Sequence, residues 1–460
     1  MNRLLAVWLL GGLLGCASNN ETAERMSVFA ADGADGSGTI ARLVTVDPGH
    51  FHAALVQKSM YPQVDSTVHV YAPEGADVDL HLERIQRYNE GAEATRWEEV
   101  VYRGPDFFER MIEEKPGNVV VLSGNNGRKT EYIAEAIGQG MHVLADKPMV
   151  IDPAQYDLLK AAMAEAEERD LLLYDIMTER FEITTMLQRA FSQRPEIFGT
   201  LLPGTVAEPA ISKESVHHFS KTVSGAPLIR PAWFFDVRQQ GEGMVDVATH
   251  LVDLILWETF PGEPIDTTEV EVLSARRWST ALSREQFAKV TGLQDFPEEL
   301  GPDVRDRELE VYSNGEIDFT VKGIHGKASV IWNFEAPPGA ADTHYSIMRG
   351  SAADLVIRQD APQQYVPTLY VESKDPLPEA EMEAVVAELQ KDFPGIGYRA
   401  VDEGFEITVP ESLRKGHEAH FGQVMEQFLR YLEAGDIPAW ERENMLTKYY
   451  VTTRGYRMSR

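Results

Sequence analysis

The sequence has a single cysteine, Cys16, and this scarcity limits how the chain can be stabilised. A structural disulfide needs two cysteines, so no bridge forms within the chain. Basic residues are also few, because 43 Lys and Arg stand against 73 Asp and Glu, for a formal net charge of −30. A charge of this sign argues against nucleic acid or an anionic membrane surface as a partner.

Long apolar runs are missing after the first fifteen residues. The run over residues 4–14 follows Arg3 and is too short to span a bilayer as a mature helix, so it is typical of an export signal. Residues 13–16 (Leu-Leu-Gly-Cys) resemble the bacterial lipobox. We therefore predict a lipoprotein signal over 1–16 with the lipid on Cys16, and a flexible tether over 17–38. An uncleaved anchor with an incidental cysteine is the alternative.

The rest of the chain is long enough for two domains. Between residues 42 and 146 short apolar strands alternate with helical patterns, which predicts a doubly wound parallel sheet in an α/β domain over 39–175. After Trp257 the strands alternate apolar and polar residues, so residues 176–460 are predicted to form an α+β domain with an open, mainly antiparallel sheet. Ligands of the first domain are expected at the carboxyl ends of its strands.

The turn after the first predicted strand reads Asp47-Pro-Gly49-His50-Phe51-His52. A strand, a tight turn and a helix start form the unit whose free N–H groups can hold a phosphate. A dinucleotide fold would have Gly-x-Gly-x-x-Gly here, but only Gly49 is kept and Asp47 adds negative charge. At the end of the second strand, Glu74 is either a partner for a ribose hydroxyl or an ordinary turn residue.

Two other strand ends carry polar side chains. Residues 123–126 (Ser-Gly-Asn-Asn) follow one strand, and Asp146-Lys147-Pro148 follow the next. Because a residue before proline is restricted to extended backbone, we expect Lys147 to point its ammonium over the crevice. An exposed turn lysine is the alternative.

Asp246 and His250 follow a Gly-rich turn. From Met244 on the apolar residues recur at helical spacing, which places the two side chains one turn apart on one helix face. The carboxylate would orient the imidazole and raise its pKa, and the imidazole would move a substrate proton. Alternatively, Asp246 caps the helix and His250 is a packed core histidine.

Asp146-Lys147-Pro148 resembles the Glu-Lys-Pro signature of the Gfo/Idh/MocA oxidoreductase family. The segment 174–180 and Asp246-x-x-x-His250 follow in the family's order, over residues 40–260, and the C-terminal stretch resembles a domain of exported members. The resemblance implies a Rossmann-like first domain, NAD or NADP as cofactor, and Lys147, Asp246 and His250 as the catalytic group. The implied cofactor-binding residues are Asp47, Gly49, His50, Phe51, Glu74, Ser123, Gly124, Asn125, Asp146 and Lys147.

Aromatic and charged residues interleave between positions 217 and 236. They predict either a carbohydrate wall, in which rings stack on a sugar, or a β-edge packed on the core. The candidate substrate residues are Lys221, Arg230, Trp233 and Asp236. His417 and His420 have one-turn spacing, but no convincing third ligand is near them in sequence, so no metal site is predicted.

Together these features predict an NAD(P)-dependent oxidoreductase acting on a hydroxyl of a sugar, polyol or glycoside. One alternative is a redox-neutral enzyme that cleaves glycosides with bound NAD. Another is a non-catalytic carbohydrate-binding lipoprotein that kept the fold. We further expect a lipid-anchored location in the cell envelope, on the outer membrane because no Asp follows Cys16, and a homo-oligomer formed through the open sheet.

Overall fold

The computed structural model describes residues 38–223, 226–337 and 339–460. The predicted signal with Cys16, and the tether up to residue 37, lie outside the described residues. Within those ranges, none of the helices combines the length and the apolar character that crossing a membrane requires.

The first half of the chain forms a six-stranded sheet in which all neighbouring strands are parallel. Its strands are β1 (Leu43–Val46), β2 (Thr67–Ala72), β3 (Glu98–Arg103), β4 (Val119–Leu122), β5 (His142–Asp146) and β6 (Leu173–Ile176). The intervening helices are α1 (His52–Leu55), α2 (Ala76–Glu90), α3 (Phe107–Glu114), α4 (Asn126–Gly138) and α5 (Tyr156–Glu168). The spatial order β3-β2-β1-β4-β5-β6 reverses direction at β1, so a crevice opens beyond the carboxyl ends of β1 and β4.

The two central strands explain why this sheet is parallel and covered on both faces. Every residue of β1 and of β4 is buried, and both are rich in valine. Strands with two apolar faces are stable only when helices lie on each side, and β-branched side chains suit their pleated surface. The apolar runs seen in the sequence therefore fix these strands in the middle of the sheet.

The second half is built on a ten-stranded mixed sheet. Its strands are β7 (Ile211–Ser220), β10 (Val270–Leu282), β11 (Val304–Arg305), β12 (Glu308–Val321), β13 (Ile324–Glu335), β14 (Thr343–Arg349), β15 (Ala353–Arg358), β16 (Thr368–Ser373), β17 (Gly397–Val401) and β18 (Gly404–Thr408), while β8 (Thr222–Val223) pairs only with β9 (Ala226–Pro227). Only the β7–β13 pair is parallel among the described strands of this sheet. The helices are α6 (Ile183–Ser192), α7 (Pro195–Phe198), α8 (Val237–Gln240), α9 (Ala248–Thr259), α10 (Arg284–Thr291), α11 (Glu379–Leu389), α12 (His417–Ala434) and α13 (Ala439–Met458).

The last two helices return to the first sheet. Phe421 and Phe428 of α12, and Tyr449 of α13, belong to the same hydrophobic core as β1, β4 and β5. Burying three aromatic side chains of this size contributes several kcal/mol to that core. The first sheet therefore depends on residues that follow it by more than 200 positions in the chain.

The predicted fold class is confirmed: a parallel Rossmann-like sheet precedes a mainly antiparallel one. The helix start expected after the first turn is only the single turn α1. The predicted domain boundary after residue 175 falls inside β6.

Candidate active site

Lys147 and Asp246 form an ion pair at the carboxyl end of β5. The Lys147 Nζ lies 2.5 Å from Oδ1 of Asp246, and Nε2 of Gln240 donates to the other carboxylate oxygen at 2.8 Å. Burial works against the ammonium, but the charges of Asp246 and Asp146 raise its pKa. Lys147 is therefore a fixed positive charge at the edge of the crevice.

His250 lies on α9, but Asp246 does not. The helix begins at Ala248, and the chain from Gly241 to Val247 runs through turns, so the expected common helix face is wrong. Both oxygens of Asp246 are occupied by Lys147 and Gln240, so this carboxylate does not orient the imidazole.

The His250 ring is neutral and has unused bonding capacity. Its Nδ1 is buried without a hydrogen-bond partner among the described residues. Burial, reinforced by the charge of Lys147, lowers the pKa of His250 to about 3. A neutral imidazole with a free nitrogen can accept a proton from a ligand.

Glu179 is the site residue that sequence reasoning missed. It follows β6, and its Oε1 lies 3.5 Å from Nδ1 of His417 at the start of α12. Burial would raise the pKa of Glu179, but His417, His250 and His420 together lower it. A carboxylate is thus kept ionised among three histidines. Its position directly after a strand of the parallel sheet was a usable signal.

The first βα turn satisfies its own amides. Gly49 N donates to Asp47 O at 2.7 Å, and His50 N donates to Ser123 O at 3.1 Å. Asp47 adopts a φ of 48°, the left-handed region that favours glycine and that Asp tolerates. Gly124 packs so closely that an added Cβ would lie 1.8 Å from Asp47 O. The turn keeps the shape of a glycine turn, but its Gly49 and His50 amides are already bonded within the protein.

A cavity of about 150 Å³ opens at the carboxyl ends of β1 and β2, lined by Asp47, Glu74 and Asp77 among others. Trp233 lies close to Gly49, and its indole N–H donates at 2.8 Å to Oδ2 of Asp77, one of the lining residues. Two carboxylates at the end of β2 suit the hydroxyls of a ribose. The residues therefore fit the nucleoside end of a dinucleotide, whereas a diphosphate would meet Asp47, whose pKa burial and Asp77 raise to about 6.

Of the predicted cofactor residues, Ser123 contacts Asp146, and His52 contacts the same carboxylate. The Ser123 hydroxyl donates to Asp146 Oδ2 at 3.0 Å, and His52 Nδ1 lies 2.9 Å from the same oxygen. Phe51 places its ring 4.7 Å from that of His50 and 4.5 Å from that of His52. Asn125, by contrast, caps α4 by accepting from Gly127 N.

The four predicted substrate residues do not form one wall. Arg230 is buried and donates to the carbonyls of Phe219 and His218. Asp236 caps α8, and Lys221 donates to Asp342 at 2.5 Å. Trp233 lies at the nucleoside cavity, as described above. Each is engaged inside the protein.

Two family models match this chain. One, described as "Putative oxidoreductase C terminal domain", matches residues 187–460. The other, "Oxidoreductase family, NAD-binding Rossmann fold", matches residues 67–174. No functionally curated protein matches the chain.

Solved structures agree with these matches. A "putative oxidoreductase" from Parabacteroides merdae is 50% identical, with a TM-score of 0.90 over 93% of this chain and 99% of that one. A levoglucosan dehydrogenase complexed with NADH and levoglucosan is 13% identical, with a TM-score of 0.58 over 91% and 97%. KijD10, a 3-ketoreductase from Actinomadura kijaniata complexed with NADP and TDP-benzene, is 15% identical, with a TM-score of 0.51 over 89% and 95%.

The last two likenesses, at such low identity, show the fold alone. The family matches and the 50% identity over nearly the whole chain show more. This chain is an oxidoreductase of the Gfo/Idh/MocA family, with an NAD-binding Rossmann-fold domain followed by the oxidoreductase C-terminal domain.

Proposed function

We propose that this enzyme oxidises a hydroxyl group of a sugar, polyol or glycoside. The observation that carries the proposal is the Lys147–Asp246 ion pair beside the neutral imidazole of His250, whose Nδ1 has no partner in the described part of the chain. The levoglucosan dehydrogenase that shares this fold is bound to a carbohydrate derivative and NADH, which supports the substrate class. A bound nicotinamide would supply hydride acceptance.

Each side chain has a distinct task in this reaction. The ammonium of Lys147 stabilises the negative charge that develops on the substrate oxygen. The His250 imidazole takes the hydroxyl proton, and the nearby Glu179 carboxylate stabilises the imidazolium that forms. Asp246 holds the Lys147 ammonium in place, with Gln240 fixing the second carboxylate oxygen.

We further propose NAD rather than NADP as the cofactor. Glu74 and Asp77 line the cavity at the end of β2, where the adenosine ribose of a dinucleotide lies in this fold. Carboxylates accept hydrogen bonds from ribose hydroxyls but repel a 2′-phosphate. A Glu74→Gln, Asp77→Asn variant should lose part of the preference for NAD, measured as the ratio of the two dissociation constants.

The test of the catalytic assignment uses His250→Ala and Lys147→Ala. With a panel of sugars and polyols, NADH formation should fall by about 10²–10⁴-fold in the His250 variant, the range for a positioned acid or base. His325→Ala, a half-buried histidine on β13, is the matched control and should keep full turnover. Full activity of both site variants would refute the assignment. Sugar binding without turnover by the wild type would favour a carbohydrate-binding lipoprotein instead.

A redox-neutral glycoside cleavage is the second candidate. It is favoured by the Glu179–His417 pair, which adds a second proton donor and acceptor next to His250. The His417 side chain is 45% exposed, so it can exchange protons with solvent. Cleavage of a glycoside without net NADH formation would favour this candidate, whereas one NADH per product would favour simple oxidation.

We also propose that Cys16 carries a lipid that anchors the enzyme in the cell envelope, an assignment that rests on the sequence alone. Cys16→Ala should leave an unprocessed precursor or release the protein into the soluble fraction. Unchanged processing and membrane association would contradict the proposal.

A further inference from the structure

The first βα turn carries two histidines where a glycine turn would have small residues. One ring nitrogen of His50, one of His52 and a carboxylate oxygen of Asp146 all lie within 4.8 Å of one another. The Asp146 Oδ2 is 2.9 Å from His52 Nδ1 and 3.8 Å from His50 Nδ1. These three side chains come from the carboxyl ends of β1 and β5, the strands on either side of β4.

We propose that His50, His52 and Asp146 bind a divalent transition-metal ion of the Zn²⁺ or Fe²⁺ class. Two imidazoles and one carboxylate form a ligand set that leaves a coordination position open for water or a ligand oxygen. Tetrahedral ligands about 2.1 Å from a metal are about 3.4 Å from one another. The two measured distances lie on either side of that value, and the two imidazole ligand atoms are within 4.8 Å of each other. Metal binding would replace the hydrogen bond between His52 Nδ1 and Asp146 Oδ2 and the one that His50 Nδ1 accepts from His52 N.

The carboxylate ligand is already held by neighbouring groups. The Ser123 hydroxyl donates to Asp146 Oδ2 at 3.0 Å, and Lys129 Nζ donates to the Asp146 carbonyl at 2.8 Å. On the other side, the ring of Phe421 lies 4.5 Å from that of His52. Outer contacts of this kind fix ligand orientation in metal sites.

The charges around the cluster allow a cation. Imidazole rings bind a metal ion in their neutral form, so the charge of the site comes from Asp146 alone. The ammonium groups of Lys129 and Lys147 oppose a cation, but Lys147 is paired with Asp246. The Asp146 and Glu179 carboxylates and Asp47 add negative charge to the same crevice.

A metal site also accounts for the departure from the glycine pattern. The amides of Gly49 and His50 are bonded within the turn and to Ser123, so they do not form a phosphate cradle. Side chains that can hold a metal ion stand there instead. Metal binding by these three side chains does not depend on which hydroxyl compound the enzyme oxidises.

The second histidine cluster is a weaker candidate. His417 and Glu179 are 3.5 Å apart, but the rings of His417 and His420 are separated by 6.4 Å. Within the described part of the chain, only His50, His52 and Asp146 bring three ligand atoms together. The two clusters can therefore be distinguished by mutation.

The test is calorimetric titration of the chelator-treated full-length protein with ZnCl₂ and with MnCl₂. We expect one site per chain for the wild type, and at least a 100-fold weaker affinity for His50→Gln and for Asp146→Asn, since each removes one of three ligands. His50 is partly exposed, so its variant should fold even if the Asp146 variant does not. A shift in melting temperature with zinc, present in the wild type and lost in His50→Gln, is a second readout.

His142→Gln is the matched control, because His142 lies on the same strand as Asp146 at its opposite end and accepts from Leu172 N. It should bind zinc like the wild type. No binding by the wild type, or binding that His50→Gln leaves unchanged, would overturn the proposal. So would binding that is lost in His420→Gln but kept in His50→Gln, which would place the ion at α12.

Discussion

Two clusters of charged groups meet at the end of β6, and they differ in how far they are buried and in how completely their nitrogens are bonded. Arg180 donates to Asp253 through two nitrogens, each at 2.6 Å, and to Glu441 at 2.5 Å. Its neighbour in the chain, Glu179, faces the proposed active site, where His250 and His420 each keep a buried Nδ1 without a partner among the residues that the structure describes. Adjacent residues thus serve a structural network and a reactive one.

The structural network joins the two ends of the fold. Lys448 of α13 donates to Asp253 and to Asp175, each at 2.8 Å, and the hydroxyl of Tyr449 donates to Asp175. Every cationic group in it is bonded to at least two acceptors. The Arg180 and Asp253 side chains are only 7% and 2% exposed, whereas those of Glu179 and His417 are 36% and 45% exposed, so the reactive cluster combines access to solvent with unpartnered nitrogens.

Breaking the structural network should have the largest effect. Arg180→Met leaves the carboxylates of Asp253 and Glu441 buried without their main partner, so the free energy of unfolding should fall by about 3–5 kcal/mol. Arg194→Met is the control, because its pair with Glu388 is at the surface and contributes at most about 1 kcal/mol. Urea denaturation measures both. Equal, small losses of unfolding free energy in the two variants would show that the bonds of Arg180 stabilise the fold no more than a surface ion pair does.

The reactive cluster should respond in turnover rather than in stability. In Glu179→Gln the imidazolium of His250 loses its stabilising charge, so kcat should fall by about 10–100-fold, while the free energy of unfolding changes by less than about 1 kcal/mol. Glu165→Gln, an exposed glutamate on α5, is the control for loss of one negative charge. If Glu179→Gln lost as much stability as Arg180→Met, the two clusters would not differ in their contribution to folding.

The pH profile sharpens the same comparison. His250 must be neutral to accept a proton, and because burial and Lys147 lower its pKa to about 3, it is neutral at every pH above that value. Glu179 and Asp253 act against this shift, and His417 acts with it. The acid limb of kcat/KM should therefore lie well below the usual histidine range near 6.5, and Glu179→Gln should move it lower still. If the acid limb of kcat/KM had a pKa near 6.5 and disappeared in His250→Ala, the lowered pKa of His250 would be contradicted.

The smallest effect is expected at the nucleoside cavity. Asp47 has a pKa near 6, so it loses its proton and becomes anionic as the pH rises through 6. Binding of NAD should weaken by about threefold to tenfold between pH 5 and pH 8, since a like charge then faces the diphosphate. Asp47→Asn tolerates the left-handed backbone and should bind equally at both pH values. Fluorescence titration measures the affinity for NAD at each pH. A pH dependence that persists in Asp47→Asn would show that another titrating group causes it.

The sequence predicted most of the fold and part of the site. Alternating strands and helices identified the parallel sheet, and the Lys147 and Asp246 pair followed from the family resemblance. The prediction that Asp246 and His250 share a helix face was wrong, because the helical spacing of apolar residues continues through the turns that precede α9. Glu179 was missed, since its partner His417 is distant in sequence and comes near only when α12 folds back.

The substrate wall could not be predicted for a related reason. Rings and charges interleave in the same way whether they face a ligand or the protein interior. Arg230 turned inward to bond the carbonyls of Phe219 and His218, because the strand β7 offers unpaired acceptors there. Composition identified the segment but could not give the direction of its side chains.

The return of α12 and α13 to the first sheet has a consequence for how the protein is made. β6 ends at Ile176 and α12 begins at His417, so the aromatic side chains that complete the first core are synthesised long after its strands. At typical rates of translation this delay is roughly 10–50 s. During that interval the apolar surface that Phe421, Phe428 and Tyr449 later cover is open to chaperones or to other nascent chains.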